Sequence, residues 1–248
     1  AAGLPLQARL VAQYLKGHGG NDTFRQTLWR ECYLFWDQLA IAYVHFLNQV
    51  LKNDRDPGKL ASLYVPIAIK SLNDFGPIPE PVEDGKTFED NAYKKAHFTA
   101  RVLGFPALAD DSGLVVEALG GQPGVFSARY AGEGAGEEAN IRKLLKAMEG
   151  VSDRRAAFEC VIAIAVPRGP ALIYEGRCEG EIAREPSGKN GFGYDPVFFY
   201  QPLGRTFAVL SQEEKNRVSH RGKAMAELLA EFDKVLVWLE QRIREEPF

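Results

Sequence analysis

Two adjacent carboxylates, Asp110 and Asp111, stand between apolar runs in Ala109-Asp110-Asp111-Ser112-Gly113-Leu114-Val115-Val116. Neighbouring side chains of a strand point to opposite faces, so the two acids divide their work. At a strand end, one can reach into a cleft while the other ties down the turn that Ser112-Gly113 predicts. A carboxylate so placed can hold Mg²⁺, take a proton from water, or do both. Taken alone, Asp-Asp-Ser-Gly is more often a plain polar turn. Other residues change the odds. Glu83 and Asp84 add acid groups suited to a hard divalent cation, and Lys59, Lys95, Lys215 and Arg221 add cations suited to phosphate oxygens. Phe192 and Tyr194, flanking Gly193 in the run Ser187-Gly188-Lys189-Asn190-Gly191-Phe192-Gly193-Tyr194-Asp195-Pro196, can stack on a planar base. Asp195 and His220 can meet its polar edge. Acid, cation and aromatic together describe a nucleotide-phosphate site. Singly, each has a plainer explanation as a strand-end turn, a solvated lysine or a core aromatic.

Several other chemistries are excluded. The glycine-rich run is no P-loop, since no Gly-Lys-Ser/Thr follows at the required spacing, and it is no dinucleotide fingerprint. Nothing places a base beside a Ser or Cys nucleophile. Cys32, Cys160 and Cys178 are odd in number and lack metal-ligand spacing, which predicts reduced thiols in a cytoplasmic protein. A net charge of −3 gives no reason to expect a nucleic-acid partner. The most apolar segment, residues 34–51, includes Asp37, Gln38, His45, Asn48 and Gln49, too polar to span a membrane. The 46% hydrophobic and 25% charged residues are those of a soluble globular protein.

The elements that must position these residues follow from periodicity. Residues 4–16 carry a helical stripe, and a second begins after Thr23, where Thr23 and Gln26 pair as a capping box. Its apolar positions Leu28, Cys32, Phe35, Leu39, Ala42, Phe46 and Val50 predict a helical hairpin packed on the protein or across a dimer. The polar run at 52–59 marks a boundary, dividing a helical extension (1–52) from a main domain (53–248). Within the latter, 60–64 suits a short helix and 68–72 a strand. Thr87 with Asp90 opens a helix to Leu103, stopped by Gly104. Strands at 106–109 and 114–118 flank the Asp-Asp turn. A helix at 137–148 precedes a long hairpin, 156–166 and 171–183. Ser211 and Glu214 cap the helical region holding Lys215, His220 and Arg221, and 225–243 continues it as one amphipathic helix. Helices interleave with strands, but an antiparallel hairpin interrupts them. The expected class is α/β, a mixed twisted sheet covered by helices, with a helical segment in front.

Five runs resemble the inosine triphosphate pyrophosphatase family, in its order and spacing, across about residues 57–230. They are Thr87-Phe88-Glu89-Asp90-Asn91-Ala92 with Lys95-Ala96, the Asp-Asp-Ser-Gly stretch, and Ala118-Leu119-Gly120-Gly121 with Pro123-Gly124-Val125-Phe126-Ser127-Ala128-Arg129-Tyr130. Gly191-Phe192-Gly193-Tyr194-Asp195-Pro196 and Glu214-Lys215-Asn216 with Ser219-His220-Arg221-Gly222 complete the set. The resemblance implies hydrolysis of ITP, dITP and XTP to monophosphate and pyrophosphate, with Mg²⁺, by a homodimer. By position, Asp111 matches the carboxylate that binds metal and activates water, and Ser112 a substrate contact beside it. Lys95 and Lys215 match phosphate or substrate contacts, Phe192, Gly193, Tyr194 and Asp195 the base-binding loop, and His220 with Arg221 the pair reading the purine's 6-oxo edge. Glu83 takes the place of the other metal carboxylate.

The front departs from the family. Where it has a β-strand and a Thr/Ser-x-Asn-x-x-Lys phosphate loop, this chain reads Asp54-Arg55-Asp56-Pro57-Gly58-Lys59. Lys59 fits, but two carboxylates replace groups that should bind phosphate, and they repel it unless a metal lies between. Three readings stand: an active pyrophosphatase with a rebuilt front, a purine-nucleotide-binding or interaction protein that has lost catalysis, and an enzyme joined to an unrelated leading segment.

Overall fold

Residues 156–165 are apolar at almost every position, as befits a strand buried on both faces. The computed structural model describes residues 70–75 and 78–245, and in it this run is β2 (Arg155–Ala165). β2 pairs antiparallel with β1 (Ala107–Val116) on one side and with β3 (Ala171–Ile182) on the other. Two short strands, β4 (Phe198–Tyr200) and β5 (Arg205–Thr206), extend the sheet in the order β1-β2-β3-β4-β5.

Alternation along β2 sorts the helices. Val161, Ala163 and Ala165 face α1 (Phe88–Leu103) and pack on its Phe88, Ala92 and Ala96. Cys160, Ile162 and Ile164 face the other way, onto Ala224, Met225 and Leu228 of α4 (His220–Ala230) and Phe232 and Val235 of α5 (Phe232–Glu245). Nearer the other end of the sheet, Leu114, Val116, Phe158 and Phe198 close a third cluster with Ile141 and Leu144 of α2 (Glu137–Ala147). Helices therefore cover both faces of the sheet, an α/β layering. Small residues set the spacing. A Cβ at Gly176 of β3 would collide with the His220 carbonyl oxygen and the Ala224 nitrogen, so glycine there lets the start of α4 lie directly on the sheet.

The caps fall as the sequence predicts. Thr87 Oγ1 accepts the Asp90 N–H at 3.0 Å, and Gly104 ends α1 with φ 71°. Ser211 and Glu214 form a reciprocal capping box on α3 (Gln212–Val218).

Three expectations are corrected. Residues 107–116 form one unbroken strand, not two strands around a turn: Asp110, Asp111, Ser112 and Gly113 each oppose a β2 residue, from Ile162 back to Glu159. The ladder satisfies the backbone that a turn would otherwise have served. Gly113 is there for room, since a Cβ would collide with Ser127, the Gly124 carbonyl and Phe88. The helix expected over 225–243 is broken at Glu231, which ends α4 and lets Phe232 turn onto the sheet. Every pairing among the described strands is antiparallel, within the α/β layering that was expected. Leu72–Phe75 is a 3-10 turn where the end of a strand was expected. The readings at residues 1–69, Lys59, Asp54 and Asp56 included, lie outside the described residues.

Candidate active site

The register of β1 on β2 decides where the two adjacent acids go. Asp111 opposes Val161, whose side chain faces α1, whereas Asp110 opposes Ile162, which faces α4. Cross-strand partners share a face, so the acids serve opposite sides of the sheet.

On the α1 side, Lys95 Nζ donates to Asp111 Oδ1 at 2.7 Å and Asn91 Nδ2 to Asp111 Oδ2 at 3.2 Å. Asn91 and Lys95 are four apart on α1 and so meet one carboxylate together. Glu83 Oε1 lies 3.6 Å from the same ammonium, so Lys95 sits between two carboxylates. The loop bearing Glu83 is tied down twice. Asn91 Oδ1 accepts the Gly85 N–H at 2.8 Å, and Arg129 Nη2 donates to the Glu83 carbonyl at 3.2 Å. Asp84 instead pairs outward with Lys94 at 2.6 Å. Burial raises the Asp111 pKa above the usual carboxylate value, outweighing the Lys95 and Asn91 hydrogen bonds, and Glu83 adds to the rise. The result is a carboxylate with enhanced proton affinity beside an ammonium.

On the α4 side, Asp110 Oδ2 accepts from Arg221 Nη2 at 2.7 Å, Arg221 Nε at 3.2 Å and Ser112 Oγ at 2.9 Å, with Cys160 Sγ at 3.9 Å. Burial alone would raise its pKa, but the Arg221 charge and hydrogen bonds, helped by Lys95 and Ser112, bring it down to about 2. The Arg221 guanidinium stands 5.8 Å from the centre of the Phe192 ring, and Lys215 Nζ stands 4.4 Å from it. Lys215 is itself buried and donates to Asp195 Oδ2 at 2.6 Å, the oxygen that also accepts the Phe192 N–H at 2.9 Å. His220 is buried and stacked on Phe158 at 4.7 Å. Burial, then the Arg221 and Lys215 charges, push its pKa well below the usual range, so the imidazole is neutral; its Nδ1 has no hydrogen-bond partner among the described residues.

The structure thus joins Glu83, Lys95 and Asp111 in one group, and Arg221, Phe192, Lys215, Asp195 and His220 in another. Gly193 lies in the loop between Phe192 and Tyr194. Three residues expected at the site take the following positions. Tyr194 lies in the core, its hydroxyl donating to the Ser127 carbonyl at 2.9 Å, so it offers no ring to a base. Ser112 bonds Asp110 on the face opposite Asp111. Lys215 is committed to a buried acid, Asp195, which is in turn taken up by Lys215 and the loop backbone. Sequence reasoning passed over Asn91 as a partner of Asp111, although its four-residue spacing from Lys95 was the available signal. Among the described residues no cluster of three or more His, Cys, Asp or Glu side chains is suited to a metal. Glu83 and Asp111 both lie near the Lys95 ammonium, at 3.6 Å and 2.7 Å.

A carboxylate–ammonium group and an aromatic–guanidinium group, joined through neighbouring residues of one strand, suit a ligand with a phosphate end and a planar end. The chain belongs to the Ham1 family, whose model matches residues 53–231. It is 62% identical over 192 residues to the dITP/XTP pyrophosphatase of Syntrophobacter fumaroxidans, covering 77% of this chain and 82% of the relative. The dITP/XTP pyrophosphatase of Desulfotalea psychrophila is 62% identical over 180 residues, 73% of this chain and 81% of the relative. Among solved structures, a HAM1 protein from Coxiella burnetii aligns with a TM-score of 0.64 at 46% identity, covering 73% of this chain and 96% of that one.

Proposed function

We propose that this protein hydrolyses the non-canonical purine nucleotides ITP, dITP and XTP to the monophosphate and pyrophosphate. The observation that carries the reading is the division of labour at Asp110 and Asp111, which sets a proton acceptor and a base-recognition group back to back on one strand. Asp111, with its raised proton affinity, takes the proton of the attacking water, and Lys95 holds that carboxylate in place and faces the phosphate oxygens. Glu83 and Asp111 suit Mg²⁺, which takes one or two protein carboxylates and fills its remaining positions with water and phosphate oxygens. When bound, that ion offsets phosphate charge.

Phe192 offers the base a ring face, and Arg221 with neutral His220 offers donors to a 6-oxo group. The amino group of adenine would face those donors with another donor, leaving hydrogen bonds unmade. Lys215 serves this reading through Asp195 and the Phe192 backbone rather than as a free phosphate contact. Lys59 is assigned to the phosphates by its place in the sequence.

The same proposal includes a homodimer in the cytoplasm and a division at residue 53. The family match beginning there supports the division, and the free thiols of Cys160 and Cys178 suit a reducing compartment. Among the described residues no helix is long and apolar enough to cross a membrane.

The test is pyrophosphate release from ITP and XTP with Mg²⁺, set against GTP and ATP. Asp111→Asn is expected to abolish turnover while inosine monophosphate still binds. Orthophosphate as product, or full activity in excess chelator, contradicts the mechanism. Nucleotide binding without turnover in the parent protein would favour the binding-protein reading.

A further inference from the structure

We infer that Asp110 is a positioning residue for base selection: it clamps the Arg221 guanidinium beside the Phe192 ring and keeps it from the triphosphate. The inference rests on the reading of Arg221 as a base-recognition residue. Arg221 is the second residue of α4, and its backbone is fixed because α4 begins directly on Gly176 of β3. Its long side chain is not fixed by that contact. A free guanidinium near a triphosphate would turn to the phosphates, which bind it through paired charge-assisted hydrogen bonds.

Asp110 prevents this. Both Nε and Nη2 of Arg221 converge on its Oδ2, which sets the plane of the guanidinium as well as its place. The anchor is rigid because Asp110 lies within the long β1–β2 ladder, and Ser112 Oγ donates to the same oxygen from the same face. Cys160, opposite Ser112 on β2, puts its thiol 3.9 Å from the same oxygen.

The arrangement around Phe192 points the same way. Two cations stand near that ring, Lys215 and Arg221, and each is held by a different aspartate, Asp195 and Asp110. A pair of acid-held cations beside an aromatic face makes a base site whose charge is locally offset. Such a site distinguishes bases by hydrogen bonding and does not gather anions indiscriminately.

The experiment compares kcat/KM for ITP and ATP in the parent, Asp110→Asn, Arg221→Ala and the double variant, with tripolyphosphate as a base-free competitor. Calorimetric binding of inosine and adenosine monophosphates supplies a readout independent of turnover. Asp110→Asn is expected to lower the ITP-to-ATP preference by about tenfold or more, mainly through KM for ITP, with kcat changed less than about threefold. Tripolyphosphate should inhibit as well as before, or better, because the released guanidinium can reach it. In the Arg221→Ala background, Asp110→Asn should change the preference no further. Equal losses for ITP, ATP and tripolyphosphate would mean that Asp110 only supports the fold, and would overturn the inference. A preference that falls in Arg221→Ala but survives in Asp110→Asn would overturn it too. A preference unchanged in Arg221→Ala would instead remove the base-reading assignment beneath it. Should Asp110→Asn not fold, Ser112→Ala frees the same carboxylate more gently and must lower the preference in the same direction, or the inference fails.

Discussion

Replacing Lys215 by Met tests whether this lysine serves the fold or the substrate. Its ammonium lies 2.6 Å from Asp195, and the two side chains are 5% and 2% exposed. Met keeps most of the volume and the apolar stem but removes the charge, which leaves the Asp195 carboxylate buried without the ammonium, though still accepting the Phe192 N–H. Breaking a buried pair from one side costs about 3–5 kcal/mol, because the remaining carboxylate keeps its desolvation cost and loses the ammonium's attraction. For a domain of this size, about 1 kcal/mol moves Tm by roughly 2–4 °C, so Lys215→Met should melt about 6–20 °C below the parent. A second change separates lost attraction from a stranded charge. Asp195→Asn in the same chain removes the charge and retains an oxygen for the Phe192 N–H, and should return about half or more of the lost stability. Urea unfolding of the parent, the single and the double variants measures this directly. A loss below about 1 kcal/mol in the single variant, or no recovery in the double, refutes the reasoning. If the single variant keeps its stability and ITP KM rises, Lys215 touches the nucleotide itself.

Two further expectations concern charge. The folded-state pKa of Asp110 lies near 2, below its ordinary value of 3.8, so its contribution to stability is present above about pH 4 and is lost as pH falls toward 2. The shift corresponds to about 2 kcal/mol, so the stability gap between the parent and Asp110→Asn should shrink by that amount between about pH 5 and pH 2. A gap independent of pH across that interval would show that the Arg221 pairing does not hold the carboxylate ionised. By the family resemblance, Asp54 and Asp56 take the places of phosphate-binding groups. A carboxylate about 4 Å from phosphate costs on the order of 4 kcal/mol at an effective dielectric near 20, and about 1–2 kcal/mol once solvent and metal screen it. Asp54→Thr with Asp56→Asn should therefore tighten ITP binding roughly tenfold and leave inosine binding unchanged. Unchanged ITP affinity would place both aspartates away from the substrate.

What the sequence could and could not reveal divides along a physical line. Caps are local, and Thr87 with Asp90, Gly104, and Ser211 with Glu214 were legible because a cap needs only residues within one turn of each other. The alternating faces of Asp110 and Asp111 were legible for a similar reason, since alternation is a property of any strand. What each carboxylate meets on its face was not. Arg221 is 111 positions from Asp110, and only the packing of α4 on Gly176 brings them together. The Asp-Asp-Ser-Gly turn failed because Ser-Gly is a turn signal only while the backbone lacks a better partner, and β2 supplies one at every position. Burial was not legible either: a phenol or an ammonium written in a glycine-rich or helical motif looks available, but Tyr194 and Lys215 each find a partner inside, on Ser127 and Asp195. Tertiary contact, rather than the motif, therefore decides what each of these side chains meets. On the proposed reading Phe192 and Arg221 meet the base, while Lys215, Asp195 and Asp110 hold those two in place.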